Sequence, residues 1–271
     1  MCTNTHLRRL LDYMKKEIYF FTGTGNTLQI TKEIADNIGG AEIKSISRLR
    51  DAKSVETYAD IVGIVFPVYF MNVPKIVTEF FGKLKIKEGS YTFLICNCGA
   101  NYGGTLKLAE KALLKSDNTV SAAYNIYMPD NSIAFPTPLD EHEGMIEKMK
   151  EQAGEISQQI KNGIEIDAEG SVISSFFGKT VMENVCTGIL GFDKMKLDNE
   201  KCTNCGICQK VCPVENISAG EVHPAWGDEC QMCFACIHYC AQKAVTYKMQ
   251  NPQKDYQYKN KYIGISEIIN R

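Results

Sequence analysis

The chain has 271 residues, 44% of them hydrophobic, and a formal net charge of −2. That length fills one core of ordinary size with a small appendage, and the near-balanced charge argues against a nucleic-acid surface or a polyanion partner. The stretch MCTNTHLRRLLDYMKKEIYFF contains no uninterrupted apolar run of the kind a signal peptide or membrane span needs, so no membrane span is expected and the cytoplasm is the expected compartment.

Residues 1–13 are expected to form a frayed or disordered extension, with Met14, directly before KKEIYFF, as an alternative start. EIYFFT at 17–22 is a short run of aromatic and β-branched residues, which predicts a buried parallel strand. After TGTGNT at 22–27 comes LQITKEIADNI, whose apolar Leu28, Ile30, Ile34, Ala35 and Ile38 predict a helix closed by Gly39-Gly40. Strands are expected at 41–47 (AEIKSIS) and 60–66 (DIVGIVF), then a helix over VPKIVTEFFGKL with Pro74 in its first turn. YTFLICN at 91–97 predicts a fourth strand, GTLKLAEKALLK a helix, TVSAAYNIYM a fifth strand, and 140–162 a longer helix. Strands and helices alternating through short connections predict an α/β fold, a doubly wound parallel five-stranded sheet.

The loop Thr22-Gly23-Thr24-Gly25-Asn26-Thr27 joins the first strand to the first helix. Free backbone N–H groups and the positive end of the helix dipole gather at such a junction. Glycines let the backbone approach an anion, and three threonine hydroxyls can donate to phosphate oxygens. With no Lys or Arg the loop is not a P-loop, and Leu28 stands where a dinucleotide fingerprint needs its third glycine. A neutral cage suits a phosphate that is held and never cleaved; the plainer alternative is a turn with a Thr or Asn cap.

The loop resembles the FMN phosphate loop of the flavodoxin family, T-x-T-G-x-T after the first strand. Two later loops match that family in position. Pro67-Val68-Tyr69-Phe70-Met71-Asn72-Val73-Pro74 follows the third strand and Asn97-Cys98-Gly99-Ala100-Asn101-Tyr102-Gly103-Gly104 the fourth. The resemblance implies that these loops flank the isoalloxazine, with Tyr102 stacking on one face and Tyr69 or Phe70 on the other. The family's usual tryptophan is absent from the first of them, since Trp226 is the only one in the chain.

Further along, Cys202, Cys205, Cys208 and Cys212 lie in KCTNCGICQKVCP, and Cys230, Cys233, Cys236 and Cys240 in ECQMCFACIHYCA. Both runs read C-x2-C-x2-C-x3-C, a spacing that lets two 4Fe–4S cubanes form from interleaved ligands. Cys202, Cys205 and Cys208 are then expected to share a cluster with Cys240, and Cys230, Cys233 and Cys236 with Cys212. Zinc sites more often pair two C-x2-C knuckles, and disulfides need an oxidising compartment. Cys2, Cys96, Cys98 and Cys186 remain outside the runs, as a reducing compartment allows.

Taken together, the chain resembles the flavodoxin–ferredoxin fusion proteins common in anaerobic prokaryotes. The division this implies is a flavodoxin-like FMN domain over 14–164, an apolar helical bridge over 165–195, a small α+β domain with two 4Fe–4S clusters over 196–248, and a tail over 249–271 whose charges suggest a solvated surface. The function implied is electron transfer between the clusters and FMN with a redox partner protein, a ferredoxin-like donor or a reductase. The alternative is an FMN-dependent reductase of a small organic substrate such as a quinone. His6, His142, His223 and His238 lie outside the flavin loops, no carboxylate falls within them, and Cys96 and Cys98 read as strand packing, so no catalytic residue is assigned. A regulatory cluster protein is a third possibility, without a helix-turn-helix or basic stripe to support it.

Overall fold

In a parallel strand covered on both faces, successive side chains enter opposite cores. Strand β1 (Lys16–Phe20) does this with Ile18 and Phe20 on one side and Tyr19 on the other, followed by Phe21. The computed structural model describes residues 13–250 and 256–269, so the expected extension lies, apart from Tyr13, outside the described residues.

Helix α1 (Asn26–Asn37), β2 (Glu42–Ser45), the short β3 (Val55–Thr57) and β4 (Ile61–Pro67) follow. Next come α2 (Lys75–Phe81), β5 (Leu84–Ile86), β6 (Tyr91–Cys98), α3 (Thr105–Leu114), β7 (Ala122–Tyr127) and α4 (His142–Lys161). The main sheet is parallel, in the order β2-β1-β4-β6-β7. Counted along the chain that is 2-1-3-4-5, the flavodoxin-like doubly wound arrangement with its switch point beside β1. The expected five strands are all present. The parallel pair β3–β5 was not foreseen, because three-residue strands carry no periodicity to read. The long helix begins after a short 3₁₀ turn at Leu139–Glu141.

Beyond the sheet, the chain runs through α5 (Val172–Phe177), which continues as π-helical turns over Gly178–Glu183 and Val185–Ile189. One side of this segment buries Ser175 and Cys186, while Ile173, Phe176 and Ile189 stay exposed, an apolar strip of the kind found at interaction surfaces. The expected bridge is therefore packed on one face only. A small α+β unit follows: β8 (Met195–Leu197), α6 (Ile207–Lys210), β9 (Ile217–Ser218), β10 (Ala225–Trp226), α7 (Ala235–His238) and β11 (Val245–Tyr247), with β8–β11 and β9–β10 antiparallel. It shares the core of the sheet: Val211, Cys233, Ala235 and Tyr239 join Ile18, Leu28 and Ile34 in one apolar cluster. Arg50–Glu215 and Lys75–Glu229 ion pairs, 2.9 and 2.8 Å, border the contact. No described helix is long and apolar enough to cross a membrane.

One buried charge ties the edge of the sheet. Glu17, only 1% exposed, meets Lys15 at 2.7 Å and Lys44 at 2.9 Å and accepts hydroxyl hydrogens from Tyr19 and Thr57. Burial alone would raise its carboxyl, but these four partners outweigh burial and hold it at about 2. A depressed carboxylate stabilises the fold fully above its unfolded value near 4.5 and ceases to do so as pH falls through about 2. Glu17→Gln should thus cost roughly 1–3 kcal/mol at pH 7, with the difference from the parent shrinking in urea unfolding as pH drops from 4.5 toward 2. Equal stability at pH 7 would mean that the network contributes nothing.

Candidate functional site

The strand β1 stops at Phe20 and α1 opens at Asn26, so the threonine loop caps a helix at the carboxyl end of the central strand. Gly25 holds the N-cap with φ 107°, and no acidic residue occupies the helix's first turn. The positive end of the dipole is therefore left for an external anion. Thr22 accepts from the Gly25 N–H at 3.0 Å and Thr24 from Asn131 Nδ2 at 3.1 Å. Each hydroxyl thus keeps its hydrogen for another acceptor. Thr27 differs, since it donates to Asn97 Oδ1 at 2.7 Å and ties the loop to the end of β6.

These residues border a cavity of about 420 Å³ at the carboxyl edge of the sheet, within the size range of a small-molecule cofactor site. Of the residues expected to hold a flavin, Thr22, Gly23, Thr24, Asn26, Thr27, Pro67, Val68, Tyr69, Phe70, Asn97, Cys98 and Gly99 line it. Gly25, Tyr102, Gly103 and Gly104 do not. Tyr102 borders a separate surface pocket with Leu106 and Ala123. Gly103 and Gly104 seat the bridge: Ser171 N–H donates to the Gly103 carbonyl at 3.1 Å, and Ser175 Oγ accepts from Gly104 N–H at 2.7 Å.

The wall also contains Met71 of the expected loop and residues from elements that the sequence did not announce. Met71 follows Phe70 in a two-residue turn closed by reciprocal Tyr69–Asn72 backbone bonds of 3.0 and 2.9 Å. Phe70 and Met71 both have positive φ, 52° and 55°. Large side chains rarely adopt that conformation, and it costs of order 1 kcal/mol or more each. Ser175 donates to the Met71 carbonyl and pins the turn. The loop after β7 adds Pro129, Asp130, Asn131 and Ser132, the bridge adds Met182 and Cys186, and the small unit adds Met232 and Phe234. The bridge and small-unit residues lie 78 or more positions from the nearest flavin-type loop, so no local motif could have flagged them. Burial first, then the nearby Asp130, pushes the Cys98 thiol up to about 12, which keeps it a neutral packing group.

The eight cysteines fall into two sets. Cys202, Cys205, Cys208 and Cys240 surround one small cavity; Cys212, Cys230, Cys233 and Cys236 surround another. The fourth member of each set comes from the opposite run, as expected from the spacing. Among the described residues no three His, Cys, Asp or Glu side chains converge on a single-ion site. Zinc would need its sulfurs about 2.3 Å from one centre; a cubane spans a wider gap. Backbone N–H groups of Asn216, Met232 and Ala244 donate to the sulfurs of Cys212, Cys230 and Cys240 at 3.3, 3.4 and 3.3 Å. The buried indole N–H of Trp226 meets no acceptor at hydrogen-bond distance, yet lies close enough to Cys236 to favour its thiolate. Burial pushes the Cys208 thiol to about 11 and those of Cys230 and Cys236 upward. A buried thiol ionises more readily when a cation shares its site, as cluster iron would. Each set offers the four thiols that a 4Fe–4S cluster takes.

The described lysines of the tail, Lys259 and Lys261, are exposed, yet the segment that carries them is anchored on the fold. Asn260 is buried and donates to Asn26 Oδ1 at 3.0 Å and Gln29 Oε1 at 2.7 Å, while its N–H bonds the Thr24 carbonyl at 3.1 Å. Gln257 donates to the carbonyls of Ile237 and Cys240. One short strap thus grips both the threonine loop and a cluster-ligand segment. Lys261 and Glu267 pair with Glu143 and Lys32; Lys254, Asp255 and Arg271 lie outside the described residues. His238 is fully buried, its Nδ1 accepting from Tyr258 N–H at 3.1 Å and its Nε2 donating to the Asn131 carbonyl at 2.8 Å. Burial lowers it to about 4, so it is a neutral brace rather than an acid. His142 and His223 sit away from the cavity wall, and His6 lies outside the described residues.

Residues 195–218 match the family described as 4Fe-4S binding domain, a stretch that contains Cys202, Cys205, Cys208 and Cys212. The match supports at least one 4Fe–4S cluster. No curated protein matches the chain. Among solved structures, the two-electron reduced flavodoxin of Megasphaera elsdenii is similar at 19% identity and TM-score 0.32, over 52% of this chain and 98% of its own. An azoreductase of Bacillus anthracis str. Sterne is similar at 9% identity and TM-score 0.36, over 53% and 99%. An NAD(P)H:quinone oxidoreductase of Methanothermobacter marburgensis is similar at 14% identity and TM-score 0.33, over 54% and 96%. Similarity this remote says nothing of a ligand or a reaction in this chain.

The grouping of cysteines has a direct consequence. Cys212→Ala should damage the cluster shared with Cys230, Cys233 and Cys236 and spare the other, leaving about half the iron. Electron paramagnetic resonance of the reduced variant would then show one cluster signal; loss of the set with Cys202 instead would break the assignment.

Proposed function

We propose that the chain is an electron-transfer protein that passes single electrons between two 4Fe–4S clusters and FMN, with a redox partner protein, a ferredoxin-like donor or a reductase, at its surface. The observation that supports this most directly is the approach of Gly23 to Cys233. A Cβ built on Gly23 falls 2.8 Å from the Cys233 carbonyl oxygen and 3.1 Å from its Cβ. The threonine loop and a cluster-ligand segment are therefore in backbone contact, and Met232 and Phe234 on either side of Cys233 line the flavin cavity.

When bound, the clusters supply one-electron chemistry and the flavin holds a pair. The chain's own residues set the arrangement. Thr22, Thr24 and the N-terminus of α1 hold the phosphate; Tyr69, Phe70, Met232 and Phe234 form the apolar wall against which the ring packs. Cys205, in the set with Cys240, is the one exposed ligand, while Met232 and Phe234 flank Cys233 at the cavity wall, so in this scheme the first set meets a partner and the second the flavin. In this scheme residues 14–164 carry the flavin, 196–248 the clusters, 165–195 bridge them, and the tail over 249–271 ties loop to ligand.

Anaerobic purification with iron, sulfide and flavin measured per chain should return about eight irons and one FMN. Folded, iron-free and colourless protein would overturn the proposal. Thr24→Val should weaken FMN binding about tenfold to a hundredfold, the loss of one charge-assisted hydrogen bond, without changing the iron content. Unaltered flavin affinity would remove Thr24 from the phosphate cage.

A further inference from the structure

Moving electron pairs onto a ring buried in protein requires protons as well, and neither the threonine loop nor the two loops after β4 and β6 contain an acid. The structure brings one in from the loop after β7. Asp130 lines the cavity, half-buried. Its N–H donates to Thr137 Oγ1 at 2.8 Å, and its carbonyl accepts from Tyr256 at 3.2 Å, so its backbone is held on both sides. Its Oδ1 accepts from Ser132 N–H at 2.7 Å. Its Oδ2 has no hydrogen-bond or ion-pair partner among the described residues. The carboxyl packs against the loop after β6, where a Cβ on Gly99 would fall 2.5 Å from Asp130 Cβ and 2.8 Å from Oδ2. Only glycine at 99 leaves the carboxyl where it is.

We propose that Asp130 is the proton donor of the flavin cavity, its Oδ2 delivering the proton that compensates electrons arriving on the bound ring. This rests on the function proposed above. For each pair of electrons supplied singly by the clusters, the Oδ2–H bond breaks, one N–H bond forms at a ring nitrogen, and Asp130 is left as carboxylate. Solvent reprotonates it, since the residue is only half-buried. The groups that face it are the Cys98 thiol, the Tyr256 phenol, His142 through the Thr137 carbonyl, and His238 through the Asn131 carbonyl. None of them is a paired cation that would hold the carboxyl ionised. Burial pushes the Asp130 carboxyl upward against the opposing pull of the Ser132 N–H, so it keeps its proton closer to neutral pH than an ordinary aspartate.

The test uses anaerobic holoprotein. Redox titration of the flavin absorbance across a pH series should show a bend in the parent that is lost in Asp130→Asn, with FMN and iron contents unchanged. Redox-difference infrared spectra of the parent should contain a protonated-carboxyl band that changes on flavin reduction and weakens in the pH range of the bend; this holds even if the variant folds poorly. The same bend in Asp130→Asn, or no carboxyl change in the parent, overturns the assignment of Asp130 and leaves the proposed function standing. A parent that retains no flavin overturns both.

Discussion

The structure depends on one close backbone approach. Where β1 gives way to α1, Gly23 lies against the main chain of Cys233, a distance that no side chain at position 23 would permit. A threonine–glycine loop and a cysteine loop that are to take ligands each need exposed N–H groups, small residues and room. Placing them back to back lets each rigidify the other, because neither can shift without displacing its neighbour in a close-packed interior. The apolar cluster that runs from Ile18 and Leu28 to Val211 and Tyr239 is the continuation of that contact, and it explains why the small unit is not a loosely tethered appendage.

Two segments from the second half of the chain brace this region. The bridge supplies Ser171 and Ser175, which bond the loops after β4 and β6 and pin a turn with two side chains in the left-handed region. Strain of that kind persists only where surrounding structure over-determines it. The strap supplies Tyr258 and Asn260, which close over Asn26 at the start of α1, while Gln257 holds the carbonyl of Cys240. Cavity, loop and ligand segment are thereby braced as a unit, which favours a fixed spacing between redox groups.

Charge is arranged with the same economy. The first turn of α1 lacks acidic residues, and no lysine or arginine lines the cavity, so the loop offers dipole and hydroxyls without a mobile counter-ion. Burial pushes the thiols of Cys208, Cys230 and Cys236 upward, so these three ionise more readily beside a cation than without one. His238, between two ligand cysteines, is buried as a neutral imidazole with both nitrogens engaged.

The sequence by itself determined what depends on local periodicity and ligand spacing. The five strands, the helices between them and the threonine loop at the first junction were legible, because each is encoded within about a dozen residues, and the interleaved cysteine sets followed from the spacing repeated in each run. What only tertiary structure decided is which distant residues meet. Tyr102 borders a different pocket from the one that the threonine loop lines, and the bridge bonds the neighbouring Gly103 and Gly104. Asp130, Met182, Met232 and Phe234 reached the cavity, and Asn260 reached the threonine loop, through contacts spanning up to 234 positions. No window of sequence contains such pairs: they are chosen by the packing of one folded surface on another.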